Sequence, residues 1–112
     1  MSKDLSISVL MDFYGELLTK KQKDSLELYY DSDYSLAEIA EDMDISRQGV
    51  RDFIKRGEKQ LYEFEEKLEM VKKYNNISQN ISRLEELIEK IKPGEEFENQ
   101  ASDIMEAIKK EL

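Results

Sequence analysis

Seven residues within fourteen consecutive positions carry the chemistry of this chain: Ser46, Arg47, Gln48, Arg51, Lys55, Arg56 and Lys59. On a helix, Arg47, Arg51, Lys55 and Lys59 recur every four residues, so they form one slowly spiralling basic stripe with Gln48 near its leading end. Such a stripe suits a nucleic-acid groove. Arg forks onto guanine and Gln onto adenine in the first turns, while Lys55, Arg56 and Lys59 lie farther along, where phosphates are met. Like charges at Arg47, Arg51 and Lys55 oppose each other in an isolated helix, so helix propensity gives no reason for them. The competing reading is a solvated face, with Asp52 pairing Arg56 and Lys59 pairing Glu63 at helical spacing.

The residues just upstream are those needed to hold this stripe outward. Two short helices locked at a steep angle require apolar residues at the elbow, and Ile39, Met43, Ile45, Val50 and Phe53 fall at inward positions, with Ala40 where the backbones approach. Ser35 and Glu38 form a capping box that starts the first helix. Asp44 occupies the sharp turn, which needs a residue tolerant of positive φ, and Ser46 caps the second helix. The run from Ser35 to Lys59 is thus a helix-turn-helix whose second helix begins at Ser46.

Composition bounds the rest. At 112 residues, 39% of them hydrophobic, the chain fits one compact domain plus an appendage; 38% charged residues and a single proline favour long solvent-laced helices. The net charge of −9 argues against non-specific nucleic-acid binding by the whole molecule. Its distribution matters more: of the stretches 1–34, 35–45, 46–60 and 61–112, only 46–60, with five basic and two acidic groups, is net positive, whereas 35–45 carries four acidic and no basic ones. A polyanion is steered to the second helix and repelled elsewhere, so a weak, salt-sensitive interaction is expected. The acidic surfaces leave basic protein or a ribonucleoprotein open as partners. The absence of cysteine and histidine removes disulfides, zinc-finger sites, thiol nucleophiles and imidazole chemistry, and is compatible with a reducing cytoplasm. No apolar run approaches the ~18 residues of a membrane span, and no signal peptide is expected.

Along the chain, Leu5, Val9, Leu10, Phe13, Leu17 and Leu18 recur with helical period. Thr19 with Gln22 makes a second capping box, and Lys21 to Tyr30 forms another short helix with Leu26, Tyr29 and Tyr30 inward or half inward. After Lys59 an apolar seam continues through Leu61, Phe64, Leu68 and Val71, so the helix from Ser46 is expected to run unbroken to about Tyr74, roughly 40 Å at 1.5 Å per residue. Asn75 and Asn76 interrupt the pattern. Ile77, Ile81, Leu84, Ile88 and Ile91 resume it as far as the turn signal Pro93-Gly94, and Phe97, Ala101, Ile104, Ile108 and Leu112 give a last helix. The expected organisation is a helix-turn-helix domain over 1–74 and a helical hairpin over 75–112, whose uncovered apolar faces call for a homodimer.

Other candidate sites are weaker. Glu65/Glu66, Glu85/Glu86 and Glu95/Glu96 are neighbours that point about 100° apart on a helix and share no site, so no catalytic pair is expected. Asp31, Asp33, Ser35 and Asp42 mimic a calcium loop, but Leu36 stands where that loop needs Gly. Gly15, Gly49, Gly57 and Gly94 are scattered and form no phosphate cradle. Tyr29, Tyr30 and Tyr34 fit the edge of a helical core better than a base-stacking platform. No cofactor or metal is expected.

The strings DFY, LLT-x-KQ, LYY, SLAEIAE, SRQ-x-V and IKR-x-E, over positions 11–68, closely resemble the YlxM family of small Firmicutes proteins. The resemblance implies a helix-turn-helix without a wing, similar to region 4 of sigma factors, and a regulatory or accessory role beside the signal recognition particle, whose GTPase gene usually neighbours the family's. It places Ser46, Arg47, Gln48, Arg51 and Lys55 at the family's recognition-helix positions. The expectation is an all-α, non-enzymatic, cytoplasmic protein that binds DNA or particle RNA, with a conventional transcriptional regulator and a protein-binding adaptor as alternatives.

Overall fold

The computed structural model describes residues 3–91 and 94–112. Among them are six α-helices and no strand: α1 Ser6–Tyr14, α2 Lys20–Leu26, α3 Leu36–Met43, α4 Arg47–Leu68, α5 Met70–Ile91 and α6 Glu95–Glu111. The all-α, helix-turn-helix expectation holds. The chain divides into two compact units between Val71 and Lys72.

Only part of the expected apolar stripe around α1 turns inward. Leu10 and Leu18 are buried and Phe13 packs against the core, while Leu5, Val9 and Leu17 are 82%, 45% and 56% exposed. The buried face is completed by Ile7 and Tyr14, which the spacing does not single out. Two stripes compete on this helix, and the one containing Tyr14 wins. Its ring packs 5.8 Å from that of Phe64, and its hydroxyl has two polar partners described below.

Helix α2 starts at the Thr19–Gln22 capping box. Regular α geometry stops at Leu26 rather than running to Tyr30, and a wide π-type turn, Glu27–Asp31, follows. This turn buries Tyr29 and leaves Tyr30 half-buried, with the rings edge to face at 5.2 Å. Gln22 and Ser25, both polar, are buried on α2, and the Ser25 hydroxyl lies 3.3 Å from the Met43 sulfur.

The elbow between α3 and α4 is closed at both ends by its own side chains. Ser35 and Glu38 exchange the two capping-box bonds at 3.1 and 3.2 Å. Helix α3 ends with Asp44 in the left-handed region (φ 55°), where the Asp44 and Ile45 N–H groups donate to Glu41 and Ala40 carbonyls, a Schellman arrangement. Ser46 Oγ then accepts from Gly49 N–H at 2.9 Å and starts α4.

Ile39, Ala40 and Val50 are buried at the elbow, as the spacing requires, while Met43, Ile45 and Phe53 are only half-buried. Ile54, Gly57 and Leu61 complete the inward face of α4. Gly57 has a specific purpose: a Cβ there would stand 2.7 Å from Leu26 Cδ1, so α2 and α4 approach at this distance because position 57 has no side chain.

The unbroken helix from Ser46 to Tyr74 does not form. Helix α4 ends at Leu68 and Glu69 takes a left-handed conformation (φ 53°), after which α5 runs straight through Asn75 and Asn76. The break is held from a distance. Tyr14 Oη donates to Glu65 Oε1 at 2.6 Å and accepts from Met70 N–H at 3.0 Å, while Glu65 Oε1 also accepts from Val71 N–H at 3.0 Å. Two amides that start α5 are thereby satisfied without an i−4 carbonyl.

In the second unit Ile81 of α5 and Met105 of α6 are buried, and Lys109 Nζ pairs with Glu85 at 2.7 Å. Leu84, Leu87, Ile104 and Ile108 remain exposed. Of the expected Pro93-Gly94 turn, Pro93 lies outside the described residues, and Gly94 is in extended backbone at the start of α6.

Candidate nucleic-acid interface

A capped first turn, an elbow held by Ile39 and Val50, and a glycine that seats α4 on α2 position the basic stripe. The consequence is that Ser46, Arg47, Gln48, Arg51, Lys55, Arg56 and Lys59 are all exposed on α4. None of the five cations forms an ion pair among the described residues, so the Asp52–Arg56 and Lys59–Glu63 pairs of the competing solvated-face reading do not form. Five positive side chains therefore face solvent without an internal partner, and their charge is available to an external anion.

The two acidic residues of the segment are both engaged elsewhere. Asp52 Oδ1 accepts from Gln48 Nε2 at 3.0 Å. Glu58 Oε1 accepts from the Tyr30 hydroxyl at 2.7 Å, which draws that carboxylate toward the core edge. Burial, reinforced by donation to Glu58, pushes the Tyr30 hydroxyl well above the ordinary phenol range, so it stays a donor. With Tyr29 buried and 4.7 Å below the Lys3 ammonium, and Tyr30 committed to Glu58, neither ring is an open stacking platform.

Flanking charge shapes the surface further. Glu38, Glu41, Asp42 and Asp44, on α3 and its turn, are exposed. In duplex complexes of this architecture the first helix crosses the phosphate backbone. Here that helix is acidic, and the positive charge of the motif is confined to α4. The residues that mimic a calcium loop do other work: Asp33 pairs with Lys3 at 2.6 Å and Ser35 caps α3. Of the paired carboxylates, Glu65 is half-buried as the partner of Tyr14, and Glu85 is bound by Lys109.

An α3–turn–α4 unit with this cap, this elbow and an outward basic stripe defines a helix-turn-helix protein. The chain belongs to the UPF0122 family, described as "Putative helix-turn-helix protein, YlxM / p13 like", whose model matches residues 1–108. It is similar to UPF0122 proteins of Caldanaerobacter subterraneus subsp. tengcongensis (51% identical over 84 residues, 75% of this chain and 72% of the relative). Others come from Halalkalibacterium halodurans (46% over 97 residues, 87% and 89%) and from Thermoanaerobacter sp. strain X514 (45% over 108 residues, 96% and 92%).

Proposed function

We propose that this is a non-enzymatic nucleic-acid-binding protein with a regulatory or accessory role, and that α4 enters the major groove of duplex DNA with Arg47, Gln48 and Arg51 at base edges and Lys55, Arg56 and Lys59 at phosphates. One observation carries the reading: five cations exposed on α4, none in an ion pair among the described residues, in a stretch (46–60) of five basic and two acidic groups within a chain of net charge −9. Solvating that many like charges on one helix without a counter-anion has no structural return. A role beside the signal recognition particle rests on the family resemblance alone, and particle RNA would have to be met by shape or in a loop, because duplex RNA hides its major groove. No described helix is long and apolar enough to cross a membrane.

The test is fluorescence anisotropy of labelled duplex DNA against the protein from 50 to 200 mM salt. Three phosphate contacts predict an affinity loss of about 40-fold over that range. Arg47→Ala with Arg51→Ala should weaken binding at least tenfold at fixed salt. Binding unchanged by both perturbations would support a protein adaptor instead.

A second copy is proposed to cover Leu84, Leu87, Ile104 and Ile108, which a monomer leaves in water. If the dimer reads a pseudo-palindrome, its two α4 helices stand about 34 Å apart. Sedimentation as a monomer at micromolar concentration would end this part of the proposal.

A further inference from the structure

The first two turns of the recognition helix present Arg47, Gln48, Arg51 and Asp52, the positions from which such a helix reaches base edges. Asp52 is the anomaly. It is exposed, it lies within helical reach of Lys55 and Arg56, and it pairs with neither. It holds Gln48 instead, through Nε2 at 3.0 Å. An ionised carboxylate only accepts hydrogen bonds, so the Gln48 end facing Asp52 must be the amide nitrogen, and the carbonyl is turned away. Gln48 is thus oriented by a neighbour rather than free to flip. The pair offers two acceptors to a ligand, the Gln48 carbonyl and the second Asp52 oxygen.

Acceptors seek donors, and the major groove places its donors on two bases only: the N6 amino group of adenine and the N4 amino group of cytosine. Guanine shows N7 and O6 and thymine shows O4, which face an acceptor pair unfavourably. A phosphate fares worse still beside a carboxylate. Resting on the nucleic-acid reading above, we propose that Asp52 and the Gln48 side chain it orients are a specificity-determining pair, which selects an amino-bearing base, adenine or cytosine, at one position of a DNA site. Arg47 and Arg51 supply the attraction, and Asp52 withholds it from sequences that offer no amino group there.

The experiment is selection of randomised duplexes by the full-length protein and by Asp52→Asn, with sequencing of the bound pools and anisotropy on an unselected duplex. The wild-type pool should hold one position where adenine and cytosine outnumber guanine and thymine by about tenfold. Asp52→Asn should lose that preference while binding unselected duplex several-fold more tightly. A Gln48→Ala pool should lose it too, with equal thermal melting of all proteins as the folding control. A wild-type pool without such a position, or an Asp52→Asn pool that keeps it, overturns the inference while salt-sensitive binding leaves the nucleic-acid reading standing. Failure of the wild type to bind any duplex overturns both.

Discussion

Replacing Tyr14 with Phe removes one oxygen atom from a fully buried ring and should loosen the junction between α4 and α5. The hydroxyl donates to Glu65 at 2.6 Å and accepts from Met70 N–H at 3.0 Å. A hydrogen bond to a charged group contributes about 1.5–3 kcal/mol, whereas the Met70 amide, on an exposed residue, recovers most of its loss from water. The expected cost is about 2 kcal/mol. With an unfolding entropy of about 2.1 cal/mol/K per residue, that is a fall in Tm of about 8–14 °C, depending on whether the whole chain or the first unit alone unfolds cooperatively. A left-handed non-glycine residue costs about 1–2 kcal/mol, and Glu69 bears that cost in the native state. Once the hydroxyl is gone, joining α4 to α5 as one helix becomes competitive, so far-UV circular dichroism before melting should show helicity unchanged or slightly raised. Thermal melting of Tyr14→Phe, Glu65→Ala and the double variant closes the cycle, with an expected coupling of at least about 1 kcal/mol. Melting within about 2 °C of wild type, or additive single effects, would refute the idea that the hydroxyl holds the break.

Other perturbations test other parts of the scaffold. Gly57→Ala puts a methyl group 2.7 Å from Leu26 Cδ1 in a buried contact; overpacking of about 1–3 kcal/mol outweighs the gain in helix propensity of up to ~1, so urea denaturation should shift to lower midpoint. Ser46→Ala removes the acceptor for Gly49 N–H and should cost about 1 kcal/mol, with weaker duplex binding because the first turn frays where Arg47 and Gln48 sit. Alkaline titration gives a signed test. Burial and donation to Glu65 raise the Tyr14 pKa above its ordinary value of 10.0, and donation to Asp4 with burial raises that of Tyr62. The native state therefore keeps protons that the unfolded chain releases, so stability is full below pH 10 and falls as pH rises through the folded values. Tyr14→Phe should flatten that decline, and a decline of unchanged steepness would count against it.

The sequence makes the elbow legible because each of its signals is local. Ser35–Glu38 and Thr19–Gln22 are capping boxes three residues apart, Asp44 sits at the turn, and Ser46 caps the next helix, so every hydrogen-bond partner lies within five residues of its mate. The basic stripe is legible for the same reason, since four-residue spacing alone puts Arg47, Arg51, Lys55 and Lys59 on one side of a helix. What periodicity misses are decisions made across the chain. Gly57 reads as one of four scattered glycines until Leu26 is brought against it, and Ile54 escapes because Phe53 beside it is the larger apolar residue.

The Tyr14 side of α1 and the end of α4 at Leu68 both escape periodicity, and for one physical reason. Leu5, Val9 and Phe13 make as regular a stripe as Ile7, Leu10 and Tyr14, so hydrophobic spacing cannot rank them. The second stripe alone delivers a hydroxyl to Glu65, 51 residues away in sequence. The same hydroxyl meets the first amide of α5. The seam Leu61, Phe64, Leu68, Val71 continues in perfect register across the junction, so nothing local says that the helix should stop at Leu68. Choosing which side of α1 is buried and choosing where α4 ends are therefore a single choice, made by one buried phenol. Tyr14→Phe should then disturb both in the same variant: exposure of Leu10 and loss of protection at the Met70 and Val71 amides in hydrogen exchange are expected to appear together, and the appearance of either without the other would separate the two decisions.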